Sequence, residues 1–197
     1  IGGRDGTRSQ VRESLGVAAG EILVGTVGTL RPEKGHGVLI RAWRQFSEQH
    51  GDTRAKLVVV GDGPIRQKLH DEAKDVSGII WAGSRSDVGE VLAAMDVFVF
   101  PSIDEGLGIA LIEAMATGLP SVVSDEGGIP EIVTDGETGL IVKAGDSKAL
   151  CEGLFKVSQE IDLRRQLGDA AQVVALSGHS PSVYCQRLLD IHRQLST

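Results

Sequence analysis

The sequence predicts an α/β protein built on a doubly wound, Rossmann-like parallel sheet of six strands. Short runs rich in Val and Ile alternate along the chain with segments of helical length. Two of these runs, residues 57–60 and 97–100, are apolar at every position. Continuous apolar strands are typical of a sheet that is covered on both faces. The alternation of strands and helices implies right-handed crossovers, which make neighbouring strands parallel.

The six apolar runs define the predicted strands, which are residues 22–27, 56–61, 79–82, 97–100, 121–124 and 138–142. The segments between them define four helices, which are residues 34–49, 65–75, 88–95 and 108–117. In the first helix, Val38, Leu39, Ala42, Trp43 and Phe46 recur at helical spacing and mark the buried face.

The pattern becomes helical after the sixth strand, with predicted C-terminal helices at residues 147–158, 161–174 and 182–195. Asp146 is placed to cap the first of them, and the segment 178–181 separates the last two. No repeat, low-complexity tract or long linker divides the sequence. Residues 1–197 are therefore expected to form one domain.

Composition excludes several classes of function. The chain carries 20 basic and 27 acidic side chains, a net charge of −7, whereas a general nucleic-acid binder needs a basic face. No apolar run approaches the roughly 18 residues that suggest a membrane span. Cys151 and Cys185 form neither a disulfide framework nor a metal-binding spacing. This cysteine usage suits a reducing compartment, and a cytoplasmic location is expected.

The loop after the first strand contains the first candidate ligand-binding residues. In an open parallel sheet, ligands bind beyond the carboxyl ends of the strands, near the point where the strand order reverses. Residues 28–35 place two cations and two glycines at such an exit, ahead of a helix. Lys34 can bind a phosphate there, or it can simply open the helix in a solvated turn. The next strand exit, residues 61–64, is interpreted as a structural turn.

The loop after the fourth strand carries a glycine turn, a short helix and two glutamates. The amides of Gly108, Ile109 and Ala110 are expected to point out of the helix N-terminus and to form an anion site. Glu113 has apolar neighbours in sequence and is expected to be shielded from bulk water. A shielded carboxylate needs hydrogen-bond donors, which are supplied either by ligand hydroxyls or by the neighbouring loop.

Glu105 and Glu113 form an E-x7-E pair within the sequence E-G-L-G-I-A-L-I-E-A-M-A-T-G-L-P. This segment resembles the signature of the retaining, nucleotide-sugar-dependent glycosyltransferases called group 1, or family four. The resemblance covers about residues 20–160 and includes five further motifs, at residues 27–35, 60–64, 94–102, 124–133 and 135–139.

The resemblance implies a two-lobed enzyme of GT-B architecture, of which residues 1–197 are the C-terminal, donor-binding lobe. The N-terminal acceptor lobe is expected to lie outside this sequence, which begins with Ile1 and not with Met. The donor substrate would be a nucleotide diphosphate sugar, and neither a cofactor nor a metal ion is expected. Peripheral membrane contact would be made through the missing lobe.

The resemblance also assigns roles to individual residues. Glu113 would hold the ribose hydroxyls, Glu105 would contact the transferred sugar, and Lys34 would bind the departing phosphates. The base would lie near residues 84–88. The predicted catalytic residues are thus Glu105 and Lys34, and the predicted donor-binding residues are Gly28, Thr29, Arg31, Lys34, Arg85, Val88, Glu105, Gly108, Ile109, Ala110 and Glu113.

One departure from the family pattern concerns the first loop. Many members place an arginine directly after its glycine, where this chain has Thr29, with Arg31 two residues later. Either Arg31 substitutes for that arginine, or stabilisation of the leaving group rests more heavily on Lys34.

The alternatives to sugar transfer are a nucleotide-sugar epimerase of related architecture, against which the E-x7-E helix argues, and a nucleotide-sugar-binding module without turnover.

His36 lies beside the candidate phosphate-binding loop of residues 28–35, and a packing role for its side chain is favoured over contact with a ligand. The five histidines of the chain show no spacing typical of a metal site.

Overall fold

The computed structural model describes residues 2–51, 54–178, 183 and 189, with side chains from Thr7 onward. Its strands are β1 (Ile22–Val27), β2 (Ala55–Val60), β3 (Ile79–Gly83), β4 (Val97–Phe100), β5 (Ser121–Ser124) and β6 (Leu140–Val142). Its helices are α1 (Gly2–Ser14), α2 (His36–Gln49), α3 (Arg66–Ala73), α4 (Val88–Ala94), α5 (Ile109–Ala116), α6 (Ile129–Ile132), α7 (Ser147–Gln159) and α8 (Ile161–Gly178). The predicted helix 182–195 lies outside the described residues.

The six strands form one parallel sheet in the order β3-β2-β1-β4-β5-β6, which confirms the predicted fold class. The order reverses at the centre, because β1 pairs with β2 on one side and with β4 on the other. The connections from β1 and β4 therefore leave toward opposite directions, and a crevice opens between their carboxyl ends.

Apolar layers cover both faces of the sheet. Leu23 and Val24 are adjacent in β1 and belong to different layers, because successive side chains of a strand point to opposite faces. Trp43, from the predicted buried face of α2, packs in the layer of Val24 and stacks on Phe46 at 4.9 Å between ring centroids. The prediction that continuous apolar strands are covered on both sides is confirmed.

Helix α1 was not among the predicted elements. Between Thr7 and Ser14 only Val11 is buried, so the segment shows almost no apolar periodicity. Polar contacts attach it instead, since Arg8 and Arg12 pair with Asp96 at 2.6 and 3.0 Å. No helix of the described residues is both long and apolar enough to cross a membrane.

The other helices differ from the prediction at α2 and α6 and agree with it at the cap of α7. Helix α2 starts at His36 and not at Lys34, because a separate 3-10 turn covers Pro32–Lys34 and ends at Gly35 in the left-handed region. Helix α6, of four residues, was not predicted. Asp146 caps α7 as predicted, its carboxylate accepting from the amides of Lys148 and Ala149.

Asp96 connects α1 to the sheet at the amino end of β4. Its carboxylate accepts from both arginines and from the amide of Leu23 at 2.7 Å, while its own amide donates to the Leu23 carbonyl at 2.8 Å. Arg12 also donates to the carbonyls of Glu21 and Ala94. One carboxylate thus joins the start of β1, the start of β4 and α1.

We expect Asp96→Asn to lower the free energy of unfolding by about 2 kcal/mol, because it removes the charge that two partly buried arginines share. Urea unfolding measures this loss. The control is Asp162→Asn, whose carboxylate is 97% exposed and lies 3.9 Å from Arg165, and which should change stability little. Equal effects of the two substitutions would contradict the role assigned to Asp96.

Candidate functional site

A cavity of about 390 Å³ opens at the carboxyl edge of the sheet, between the exits of β1 and β4. This is the point where the strand order reverses, and ligands of open α/β sheets bind there. The residues lining the cavity are Thr26, Val27, Gly28, Thr29, Lys34, His36, Phe100, Pro101, Glu105, Gly106, Leu107, Gly108, Ile109 and Ala110.

An ion pair joins the two walls of the cavity. Lys34 Nζ lies 2.6 Å from Glu105 Oε2, and the side chains are 28% and 10% exposed. The Ser102 hydroxyl donates to the same oxygen at 3.1 Å, and the Gly108 amide donates to Oε1 at 3.3 Å. Burial by itself raises the pKa of Glu105, but the contacts with Lys34, Ser102 and Gly108 outweigh it and lower the pKa. Glu105 is therefore an ionised, oriented carboxylate at neutral pH.

The first turn of α5 contributes backbone donors to the same cavity. Ile109 and Ala110 begin the helix and line the cavity. Amides in the first turn of a helix have no acceptor within that helix, and they carry the positive end of its dipole. Together with Lys34, they place positive charge on both walls.

Two glycines allow neighbouring loops to approach the loop between β4 and α5 closely. At Gly35, with φ of +67°, a Cβ atom would lie 1.8 Å from the Pro101 carbonyl oxygen. At Gly127, with φ of +56°, it would lie 1.9 Å from the Glu105 carbonyl oxygen. The loop that carries Glu105 is therefore held from both sides by backbone contacts that no larger residue permits.

Sequence reasoning missed the role of Gly127, although the paired glycines at 127 and 128 were a usable signal. They lie in the loop after β5, which ends at Ser124 and neighbours β4 in the sheet, so both exits lie at the same edge. Gly128 also donates its amide to the Glu105 carbonyl at 3.4 Å.

The structure brings seven of the predicted site residues together and leaves four outside the cavity lining. Those in the lining are Gly28, Thr29, Lys34, Glu105, Gly108, Ile109 and Ala110; those outside it are Arg31, Arg85, Val88 and Glu113. Of the side chains that the structure describes, Lys34 supplies the only cation of the lining.

The two predicted arginines outside the lining, Arg31 and Arg85, lie near acidic side chains that do not line the cavity. Arg31 is 60% exposed and lies 3.9 Å from the Glu33 carboxylate. Arg85 donates through Nε to Asp87 at 2.8 Å, and this contact raises the pKa of Arg85 and lowers that of Asp87. The substitution of Arg31 for the arginine that Thr29 replaces gains no support from this geometry.

The expectation that Glu113 is shielded from water was wrong, because its side chain is exposed. Leu111, Ala114 and Met115 form the buried face of α5, and Glu113 lies off that face. Apolar neighbours in sequence point in other directions around a helix, so they do not shield it. Glu113 follows Ile109 by four residues and lies one turn beyond the cavity on the solvent side of α5.

The turn at residues 61–64 is structural, as interpreted. The Asp62 carbonyl accepts from the Leu30 amide at 3.0 Å, and the Leu30 carbonyl accepts from the Ile65 amide at 3.2 Å. These bonds support the loop after β1 from behind, and no residue of the turn lines the cavity.

His36 is a buried residue of the lining whose ring makes no hydrogen bond to any described residue. The side chain is 3% exposed, and neither Nδ1 nor Nε2 has a hydrogen-bond partner. Burial and the charge of Lys34 lower the pKa of His36 to about 4. The imidazole is therefore neutral at pH 7.

The family profile described as glycosyl transferases group 1 matches residues 7–174. The chain belongs to this family. Among curated relatives, the alpha-maltose-1-phosphate synthase of Mycolicibacterium smegmatis is 31% identical over 97% of this chain and 52% of its own length. The N-acetyl-alpha-D-glucosaminyl L-malate synthase of Bacillus anthracis is 28% identical over 83% and 43%, respectively. The chain spans about half the length of the curated relatives it matches.

Solved structures show the same fold. The Anabaena protein HepE, crystallised with UDP and glucose, is 26% identical and superposes with a TM-score of 0.86 over 98% of this chain and 52% of HepE. WaaG, a glycosyltransferase of lipopolysaccharide biosynthesis, is 26% identical, with a TM-score of 0.80 over 94% of this chain and 50% of WaaG. The group 1 chain thus has the Rossmann-like fold of one lobe of a GT-B glycosyltransferase.

The buried His36 should make stability depend on pH. The unfolded imidazole, with a pKa near 6.5, binds a proton below that pH, whereas the folded one stays neutral down to about 4. The free energy of unfolding should therefore fall as the pH drops from about 6.5 toward 4. Between pH 7 and pH 5, wild type should lose about 2 kcal/mol more than His36→Leu does in urea unfolding. Parallel profiles for the two proteins would contradict the neutral, buried state of His36.

We expect Gly127→Ala to destabilise the chain more than Gly136→Ala does. Gly136 also has positive φ, at +72°, but a Cβ atom there meets nothing within 4 Å. The control therefore carries backbone strain alone, about 1 kcal/mol. Gly127→Ala adds the collision with the Glu105 carbonyl and should cost at least about twice as much in urea unfolding. A similar loss at both positions would mean that the loop moves aside freely.

Proposed function

We propose that this chain is the donor-binding lobe of a retaining glycosyltransferase, which moves a sugar from a nucleotide diphosphate sugar to a glycan or lipid-linked acceptor. The observation that carries the proposal is the pairing of Lys34 with Glu105 across a cavity at the centre of the carboxyl edge. HepE, whose fold this chain shares, has been crystallised with UDP and with UDP-glucose, which supports a donor of this class.

Lys34 and the first turn of α5 would stabilise the departing diphosphate. Negative charge grows on the leaving group as the bond to the sugar breaks, and preoriented donors lower the energy of that state. An ammonium group has three N–H donors, so Lys34 can keep its bond to Glu105 and still donate to two phosphate oxygens. The amides of Ile109 and Ala110 would complete the site from the opposite wall. These groups supply the positive charge for a transfer that we propose to proceed without a metal ion and with retention of configuration.

Glu105 would orient the transferred sugar. Its carboxylate remains ionised, and Oε1, which among the described residues accepts only from the Gly108 amide, has a second lone pair, whereas Oε2 already accepts from Lys34 and Ser102. A sugar hydroxyl is a suitable donor to that lone pair. A hydroxyl bound by Glu105 would place the sugar beside Lys34, where the bond to phosphate breaks.

Glu113 would bind the ribose hydroxyls from its position one turn beyond Ile109. Its exposure suits this role, because a carboxylate on the solvent side of α5 is open to a ligand that extends out of the cavity. The base would then lie toward α4, near Arg85 and Val88. The acceptor would meet the donor from an N-terminal lobe. We also propose that the enzyme is cytoplasmic and that it contacts the membrane peripherally through that lobe.

Calorimetric titration of the chain with UDP, GDP and ADP tests the donor class, with one clear binder expected. Lys34→Ala should weaken that binding about 10- to 100-fold, because it removes charge-assisted hydrogen bonds and leaves Glu105 facing the phosphates. Glu113→Ala should also weaken it, through loss of the ribose contact. Lys68→Ala is the matched control, since Lys68 is an exposed lysine of α3 that does not line the cavity.

Unchanged affinity in both Lys34→Ala and Glu113→Ala would overturn the assignment of the site. Binding of a nucleotide sugar without its transfer or hydrolysis, by the protein that includes the acceptor lobe, would instead favour a binding module.

A further inference from the structure

We propose that His36 is a further donor-binding residue, whose neutral imidazole makes a hydrogen bond to an oxygen of the diphosphate or of the sugar when the donor enters the cavity. The proposal rests on the nucleotide-sugar function and adds a contact that the E-x7-E pair and Lys34 do not supply.

The first argument is the state of the ring. Buried polar side chains are almost always hydrogen-bonded, because an unpaired buried group has lost its bonds to water. His36 has two unpaired ring nitrogens at 3% exposure. A Leu or Met side chain would fill the same space without that cost. An apolar side chain at position 36 would therefore stabilise the unliganded fold more than the imidazole does.

The second argument is the position of the ring. His36 is the first residue of α2, and it lines the cavity together with Lys34 and Glu105. The preceding Gly35 holds this end of α2 against the Pro101 carbonyl, so the ring lies between the exits of β1 and β4. No hydrogen bond fixes its orientation, so turning a nitrogen toward the cavity breaks none.

The third argument is the match between the ring and the donor. A neutral imidazole offers one N–H donor and one acceptor nitrogen. Phosphate oxygens accept hydrogen bonds, and sugar hydroxyls both donate and accept, so either part of the donor can pair with His36. Burial, together with the nearby charge of Lys34, lowers the pKa of His36 and keeps the ring neutral, which leaves the positive charge of the cavity on the lysine.

The test compares His36→Leu and His36→Gln in the full chain. We expect His36→Leu to be at least as stable as wild type at pH 7 and to bind the donor about 3- to 10-fold more weakly. His36→Gln keeps one hydrogen-bond donor and one acceptor, so its affinity for the nucleotide sugar should stay within about 3-fold of that of wild type. His70→Leu is the matched control: His70 also has a buried, unpaired Nε2, but it stacks on Trp81 outside the cavity, so donor affinity should not change.

The probes are UDP and UDP-glucose, or GDP and GDP-mannose if GDP is the nucleotide that binds. Weaker binding of both the diphosphate and its sugar assigns the contact to phosphate, and weaker binding of the sugar nucleotide alone assigns it to the sugar. In wild type, the ring nitrogen resonances of His36 should shift when the probe is added.

Two results would overturn the proposal while leaving the donor site intact. One is unchanged affinity of His36→Leu, and the other is an equal loss of stability and affinity in both variants, which indicates a packing role. Failure of wild type to bind any of the probes would instead overturn the nucleotide-sugar function itself.

Discussion

The ion pair between Lys34 and Glu105 joins two parts of the fold that the sheet topology separates. Lys34 belongs to the connection from β1, which runs toward β2, and Glu105 belongs to the connection from β4, which runs toward β5. These connections diverge, and the crevice between them is where a ligand fits. The pair bridges that crevice at 2.6 Å, and it keeps a carboxylate ionised and a lysine oriented in a partly enclosed space. The orientation of both groups is thus established before any ligand arrives.

Strand β4 is anchored at both ends, and this gives the pair its fixed geometry. At its amino end, Asp96 binds the start of β1 and two arginines of α1. At its carboxyl end, Gly35 and Gly127 let backbone from two neighbouring loops press against Pro101 and Glu105. Backbone contacts at Gly35 and Gly127 therefore position the loop that carries Glu105, in addition to the ion pair itself.

The cavity combines groups that satisfy each other with a buried imidazole that has no hydrogen-bond partner in the described part of the chain. Glu105 accepts from Lys34, Ser102 and Gly108, whereas His36 in the same lining has no hydrogen bond. Satisfied groups stabilise the folded chain, and an unsatisfied buried group opposes it. Glu105 and its partners therefore order the loop without a ligand, whereas the ring of His36 is available to make a hydrogen bond to one.

Sequence pattern was sufficient to predict the sheet, because apolar runs such as Val97–Phe100 must be covered on both faces wherever the strand lies. It also placed Lys34 and Glu105 at strand exits on the same edge, since the carboxyl ends of parallel strands share one edge, whereas the pairing of β1 with β4, which makes these exits neighbours, came from the structure. Helix α1 could not be predicted, because its attachment depends on Arg8 and Arg12 reaching an aspartate more than 80 residues away. The orientation of Glu113, the position of Arg31 outside the cavity and the support of Glu105 by Gly127 became apparent only from the folded structure. Every other residue of α5 is apolar, so its sequence does not define a buried face, and the other two depend on contacts between loops that are distant in sequence.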